Sequence, residues 1–503
     1  MYIDSNRQAT PLHNFWNNIH FHPTDAIEDE WGQKILNAVA ADGVAKTVRM
    51  YAMLEDIVTR DENGQLQYDF TENDVRMDYM VSKGFNLLLS YNFIPACMAR
   101  NAGLQSNVAK NKTRYKGKMI ITSPPTDYKE WEEVCYQYTM HILERYGEAT
   151  VKNWYLQCLN EPDIRAFWMG DLDESVESTA IRLKEYCALY DGFEAGIRRA
   201  SENLKLGGPG LAHNTMFLAG LLQHVRQTGR RMDYVCVHSY GTAPKLLNEN
   251  TKPFCVDNNI QRIQLHRQII NHLFPKHLFP KGMEYVVDEW GASTAGFFNI
   301  EECPKLIFRE TPGFAAYFGK LVTRLIMQKD APDELIICLS GQHEMVVDFS
   351  GFRNLFTMNH IKKPIYNAYV LMARLGSELL AAAEEDNTAI LATREGDTIS
   401  VLLSHASENF DHQLPEKVQQ LTLSGISGQR TVTLWRIDGA CTNPYGEYLK
   451  LGYTDPLTEE QIAHLKEVGT LKPETFTVTA NDRDEVQLSI PLSGDSLVLI
   501  QLA

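Results

Sequence analysis

Eight short apolar runs recur along the first two thirds of the chain, separated by polar turns and amphipathic stretches. They are HNFWNNIHF (13–21), VAKTVRMY (44–51), FNLLLSYNF (85–93), NWYLQCLNE (153–161), LKLGGPG (204–210), DYVCVHSY (233–240), MEYVVDEW (283–290) and ELIICLSGQ (334–342). Several are apolar almost throughout rather than alternating, which is how strands buried on both faces read. Between them lie stretches of helical spacing such as EWEEVCYQYTMHILERYG and GFAAYFGKLVTRLIMQ. Strands that alternate with helices pair in parallel through crossovers, and eight such units close a (β/α)8 TIM barrel. Long connections after the third and fourth runs enlarge it.

The pattern changes after PIYNAYVLMARLG (364–376). From about residue 385 the runs are short and alternating: AILATREG, TISVLLSHA, VQQLTLSG, TVTLWRID, TFTVTA, EVQLSIPL and SLVLIQLA. Turn residues at regular intervals make this the pattern of an antiparallel β-sandwich. One excursion, roughly 440–472, leaves that sheet, and within it Thr458 and Gln461 are spaced as a capping box opening a short helix. The expected organisation is a catalytic barrel over 1–376, with the first dozen residues free to join the sandwich, and an accessory sandwich over 377–503.

Composition narrows the partners. Of 503 residues, 44% are apolar and 10% aromatic, enough for two sizeable cores. No run approaches the ~18 apolar residues of a membrane span. Lys+Arg of 48 against Asp+Glu of 64 leaves −16, which repels nucleic acid and anionic membranes. The basic stretch Lys110, Lys112, Arg114, Lys116 and Lys118 therefore reads as a solvated loop. Nine scattered cysteines without a CxxC read as reduced, buried thiols. The opening MYIDSNRQATPLHNFW lacks a signal peptide's regions, so the expected compartment is the cytoplasm, or the periplasm or exterior if a signal has been removed.

In such a barrel the active site forms at the C-terminal strand ends. Those ends carry His20 and His22, Arg49 and Tyr51, Asn92, Asn160-Glu161-Pro162, His238-Ser239-Tyr240, Asp288-Glu289-Trp290, and Gln342-His343-Glu344. No glycine-rich phosphate cradle is among them, which argues against nucleotide or phosphosugar chemistry. Glu161 and Glu289 close the fourth and seventh runs, so they face each other across the mouth. A carboxyl pair about 5–5.5 Å apart serves a retaining glycosidase, one member as acid/base and the other as nucleophile. Asn160 is placed to bond a sugar hydroxyl, and Arg49 to keep Glu289 ionised. Taken alone, Asn-Glu-Pro is an ordinary helix entry; its position at a strand end opposite a second glutamate favours chemistry.

These residues, together with MHILERYGEATVKNWYLQCLNEPDIRAFW (140–168), VCVHSYG, YVVDEWGAS, NLFTMNHIKKPIYNAYVLMARLG and the sandwich segment LWRIDGACTNPYGEYLKLGYTDPLTEEQIAHLKEVGTL, make the chain resemble glycoside hydrolase family 39. This is the β-xylosidase and α-L-iduronidase family of clan A. The resemblance implies a barrel with an accessory sandwich, retention of configuration, Glu161 as acid/base and Glu289 as nucleophile. It matches His238 and Tyr240 to a sugar-contacting pair and Glu344 to one of the family's glycone-contacting glutamates, while Tyr51, His22 and Trp290 are candidate pocket residues from their places at the strand ends. It implies no metal or organic cofactor, an oligosaccharide or glycoside substrate as in xylan degradation, and assembly of some relatives into homo-oligomers. There are departures. Arg49-Met50-Tyr51-Ala52 stands for Arg-Phe-His-Gly, and Leu156-Gln157-Cys158-Leu159 for Phe-Glu-Val-Trp. After the eighth strand Ile337 replaces an aromatic platform, and Met345 the second of two glutamates. The glycone is thus open among xylose, glucose, arabinose and uronic acid.

A rival class is a metal-dependent amidohydrolase barrel, whose ligands open with His-x-His at strand one, here His20 and His22. It would recruit Glu161, His213 and His238, but meets Gly341 where an aspartate is needed. A catalytically dead sugar-binding relative is disfavoured by the presence of both glutamates. Trp168 has either a sugar-stacking or a core role, and Trp290 is the better candidate for lining the pocket.

Overall fold

The computed structural model describes residues 1–21, 30–106, 120–242, 255–279, 282–294, 298–339, 345, 347–407 and 414–503. All eight apolar runs are parallel strands: β1 (Asn18–His20), β2 (Thr47–Tyr51), β3 (Asn86–Tyr91), β4 (Tyr155–Cys158), β5 (Lys205–Leu211), β6 (Tyr234–Tyr240), β7 (Glu284–Gly291) and β8 (Glu334–Cys338). Each pairs with its sequence neighbour and β8 pairs with β1, closing the barrel. The interior is packed by Leu88, Tyr155, Tyr234, Cys236, Val286 and Ile336, with Tyr155 and Tyr234 edge to face at 4.9 Å. This apolar layer plugs the lower barrel, so polar side chains one layer up open only toward the C-terminal mouth.

The amphipathic stretches are helices on the outer face. Tyr128–Tyr146 is capped by Asp127 and buries Trp131, Val134, Cys135, Tyr138 and Ile142. Val176–Ala200, capped by Ser175, lies against it. Their closeness depends on Gly196, where an added Cβ would stand 2.5 Å from the Glu132 carbonyl oxygen.

Two irregularities matter for the site. Between β6 and β7 the pairing runs Val237 with Val287 and then His238 with Glu289, so Asp288 is an extra residue on β7. Between β5 and β6 it runs Cys236 with Pro209 and then Val237 with Leu211, so Gly210 is extra on β5. Bulges re-aim side chains without interrupting the barrel.

The C-terminal part is two packed sheets. Seven strands are ordered Glu474–Thr479, Gln429–Ile437, Ser496–Leu502, Thr398–His405, Thr388–Glu395, Glu378–Glu385 and Thr10–Pro11. Facing them are Tyr2–Asp4, Lys417–Ser424 and Glu485–Leu492. The strand Glu378–Glu385 falls outside the alternating runs expected from residue 385. Its sequence, ELLAAAEE, has helix-forming composition, and pairing with Thr388–Glu395 overrides that propensity. Tyr2–Asp4 pairs with Lys417–Ser424 in parallel, whereas the other sandwich strands among the described residues pair antiparallel. The excursion forms two helices, Pro444–Lys450 and Glu459–Val468, the second with the Thr458/Gln461 capping box. It packs on the barrel through Tyr448 against Phe349 and the Asn367 amide on the Gly469 carbonyl. None of the nine cysteines forms a disulfide, and six are buried. Among the described residues no helix is long and apolar enough to cross a membrane.

Candidate active site

Arg49, fully buried on β2, organises the mouth. Its Nη1 donates to Glu289 Oε1 at 2.8 Å and its Nη2 to Asn160 Oδ1 at 2.6 Å. Its Nε lies 3.2 Å from Gln157 Oε1 and 3.1 Å from Asp288 Oδ2. One planar fork thus joins the ends of β2, β4 and β7. Asn160 Oδ1 is thereby held by the guanidinium.

His238 joins the other ends. Its Nδ1 is 2.7 Å from Glu161 Oε1 and 3.7 Å from Glu289 Oε2, and its Nε2 is 3.6 Å from Asp288 Oδ2. Tyr240 Oη donates to Glu289 Oε2 at 2.6 Å and accepts from Arg353 Nη1 at 2.9 Å. His20 Nδ1 is 3.6 Å from Glu289 Oε1, and Tyr51 packs between His20 and Phe93 beneath the Arg49 charge.

The two glutamates therefore share a layer but differ in surroundings. A carboxylate oxygen of each, together with a His238 nitrogen, lies within 4.8 Å of the others. Burial pushes the Glu161 carboxyl above its ordinary value, and the His238 charge offsets this only in part. Burial acts on Glu289 in the same direction, but His238, Arg49, His20 and Arg353 together hold it well below the usual carboxylate range. His238 is itself penalised by burial, yet Glu289, Asp288 and Glu161 hold it well above the usual imidazole range. The side chain of Glu161 is 16% exposed and that of Glu289 9%, so Glu161 is the more open to the mouth.

The backbone bends sharply to present Glu161. Leu159 and Glu161 flank Asn160 at φ 58° and 47°, a left-handed region that costs non-glycine residues about 1–3 kcal/mol each. Two contacts hold the bend: Glu161 N–H donates to the Gly210 carbonyl at 3.0 Å, and Gln157 Nε2 to that of Leu159 at 3.0 Å. Buried Asp163 then accepts from the backbone N–H groups of Ala212, His213 and Asn214, stitching the loop after β4 to the loop after β5.

Of the sequence candidates, Glu161, Glu289, Asn160, His238, Tyr240, Arg49 and Tyr51 converge on one mouth. His22 and Glu344 lie outside the described residues. Trp290 is a correction: its ring is fully buried outside the barrel wall, stacked on Phe318 at 5.1 Å and near Phe314. The bulge at Asp288 turns Glu289 inward and leaves the next residue facing the helices. Ile337 pairs with Trp290 across β7 and β8 and packs in the same outer core, away from the mouth. Trp168 is a core residue whose indole donates to the Arg182 carbonyl. Asp288, Asp163 and Arg353 were not singled out as site residues. Their signals were position: one residue before Glu289, one after Pro162, and immediately before the NLFTMNH stretch.

Metal-ligand atom types do cluster here, as His20, Glu289 and Cys338 and as Glu161, His238 and Glu289. The positive charge such a cluster would attract is already supplied. Arg49 Nη1 lies 2.8 Å from Glu289 and 3.2 Å from His20 Nδ1, and His238 stands against the other carboxylates. His213, a further ligand an amidohydrolase would need, is exposed, and its link to the site is a backbone N–H bond to Asp163.

The family model for glycosyl hydrolases family 39 matches residues 1–485. A beta-xylosidase from Caldicellulosiruptor saccharolyticus is 22% identical over 99% of this chain and 97% of its own length. The human alpha-L-iduronidase is 25% identical over 55% of this chain and 40% of its own. Among solved structures, a monomeric beta-xylosidase from Caulobacter crescentus CB15 superposes with a TM-score of 0.79 at 20% identity, covering 100% of this chain and 98% of that one.

Proposed function

The chain belongs to glycosyl hydrolases family 39, and from that premise we propose that this glycoside hydrolase is an exo-acting, retaining β-xylosidase. In this reading Glu289 attacks the anomeric carbon while Glu161 protonates the departing oxygen. Glu161 then takes a proton from the water that hydrolyses the glycosyl ester on Glu289. One observation carries it: the two carboxylates approach within 4.8 Å in environments that drive them apart, Glu161 toward the protonated and Glu289 toward the ionised form. The approach favours retention, since inversion needs about 6.5–9.5 Å to seat a water. The full-length likeness to a protein named beta-xylosidase supports the glycone. An acidic chain whose cysteines form no disulfide fits a neutral carbohydrate partner and a reducing compartment.

A second glycone has one specific observation in its favour. Arg353 reaches Tyr240 beside Glu289, and buried Arg309 lies close enough that burial and the Arg353 charge pull it down to about 9. The Arg353 guanidinium at one side of the mouth suits a carboxylate-bearing glycone, the class that the human relative's name denotes, and Arg309 stands behind it with its nitrogens on the Gly351 and Ser293 carbonyls.

A panel of aryl glycosides with xylose, glucose, galactose, arabinose and uronic acid glycones separates these readings. Glu289→Gly should lose activity by at least about 10⁴-fold and regain turnover with azide as a glycosyl azide of inverted configuration. An unimpaired variant, or inverted product from the native enzyme, would overturn the mechanism.

A further inference from the structure

Resting on the retaining mechanism above, we infer that Asp288 is a positioning residue that ties Arg49, the anchor of the nucleophile, to His238, the partner of the acid/base.

Asp288 is fully buried, and aspartates are almost never so unless paired. Its Oδ2 stands 3.1 Å from Arg49 Nε and 3.6 Å from His238 Nε2. Among the described residues neither His238 Nε2 nor the Asp288 carboxylate has a hydrogen-bond partner, so these buried atoms face each other at ion-pair distance. The placement is built. Asp288 is the extra residue of the β7 bulge, without which strand alternation would turn it from the interior when Glu289 faces in. The matching bulge on β5 puts Gly210 opposite. A Cβ there would lie 3.2 Å from Asp288 Oδ2 and collide with the Gln157 amide.

The charge pattern points the same way. Arg49 Nε faces a neutral amide, Gln157. In this chain the carboxylate on that edge of the guanidinium comes from β7. From there it reaches His238 as well as Arg49. With Nε2 turned to Asp288, the imidazole presents Nδ1 to Glu161 at 2.7 Å.

Asp288 exchanges no proton in the reaction. Its negative charge favours the form of the His238 and Glu161 pair that still holds the transferable proton. The other groups facing His238 are Glu161 from β4, Glu289 from β7, Tyr240 on its own strand and His266 from the helix Val256–Leu273. Those facing Asp288 are Arg49, Cys236, Tyr234 and Tyr285.

The test is Asp288→Asn, read on an aryl glycoside that the native enzyme cleaves, with thermal unfolding alongside. We expect kcat to fall about 10²-fold. The basic limb of kcat/KM should move acidward by about one pH unit, and the acid limb by less. The double variant Gln157→Glu/Asp288→Asn returns a carboxylate to Arg49 from the β4 side and conserves net charge. It gives up the Gln157 Nε2 bond to the Leu159 carbonyl, so some stability is lost, but Arg49 keeps a carboxylate partner and the basic limb should stay displaced. It carries the test alone if the single variant does not fold. An unmoved basic limb in either variant would overturn the link to His238. Failure of the mechanism itself is separate, appearing in the native enzyme and in Glu289→Gly.

Discussion

The two ends of this barrel bury carboxylates with opposite consequences. At the floor, Glu334 opens β8 and accepts from the Asn18 amide at 2.5 Å, while nearby Glu284 takes the Lys205 ammonium and the Tyr155 hydroxyl. Burial pushes the Glu334 carboxyl up to about 7, and the Asn18 bond and distant lysines only temper it. At the mouth Glu289 is buried more completely than half-buried Glu334, yet it is held well below the usual range. The difference is not depth. A guanidinium and an imidazole lie against Glu289, whereas an amide dipole lies against Glu334. Burial sets the size of an electrostatic effect, and the partner in the same layer sets its sign.

The contrast breaks most completely by blunting the cation at the mouth. Arg49→Lys keeps the charge but loses the fork that spans Glu289, Asn160 and Asp288. We expect kcat/KM to fall about 10³-fold and stability by about 3 kcal/mol, since buried carboxylates are left short of partners. A loss below tenfold would mean that charge alone, without geometry, holds the mouth. Glu161→Gln comes next. It should lower kcat about 10²–10³-fold for glycosides with poor leaving groups and spare the first step with activated ones. Equal losses for both leaving groups would remove the acid role from Glu161. The smallest effect belongs to the floor. The folded-state pKa of Glu334, about 7, lies above its ordinary 4.5. Its stabilising contribution is therefore complete below about 4.5 and is lost as pH rises through 7. Glu334→Gln keeps an acceptor for Asn18 and should raise Tm at pH 8, worth up to about 3 kcal/mol, with no gain at pH 4 and native activity throughout. A gain of equal size at both pH values would show that the ionised carboxylate is not what destabilises the floor.

How legible this was in the sequence follows the same division. Apolar runs buried on both faces announced the eight strands, and the strand-end rule brought out Glu161 and Glu289. What strand periodicity could not convey was the bulge on β7. A period of two sends Asp288 and Glu289 to opposite faces and brings Trp290 into line with Asp288. One inserted residue turns both acids inward and sends the indole to the outer core. Arg353 reaches the mouth from the long segment after β8, where no periodicity applies. In ELLAAAEE the local preference for helix was outvoted by a hairpin partner.

The parallel pairing of Tyr2 with Thr422 has a consequence in time. Some 420 residues separate the partners, so at ordinary synthesis rates the first strand waits roughly 20–80 seconds before its neighbour exists. Every barrel strand is made within that interval, as β8 ends at Cys338. The smaller sheet of the sandwich, which takes Tyr2–Asp4 as a strand, is therefore among the last parts to close during synthesis.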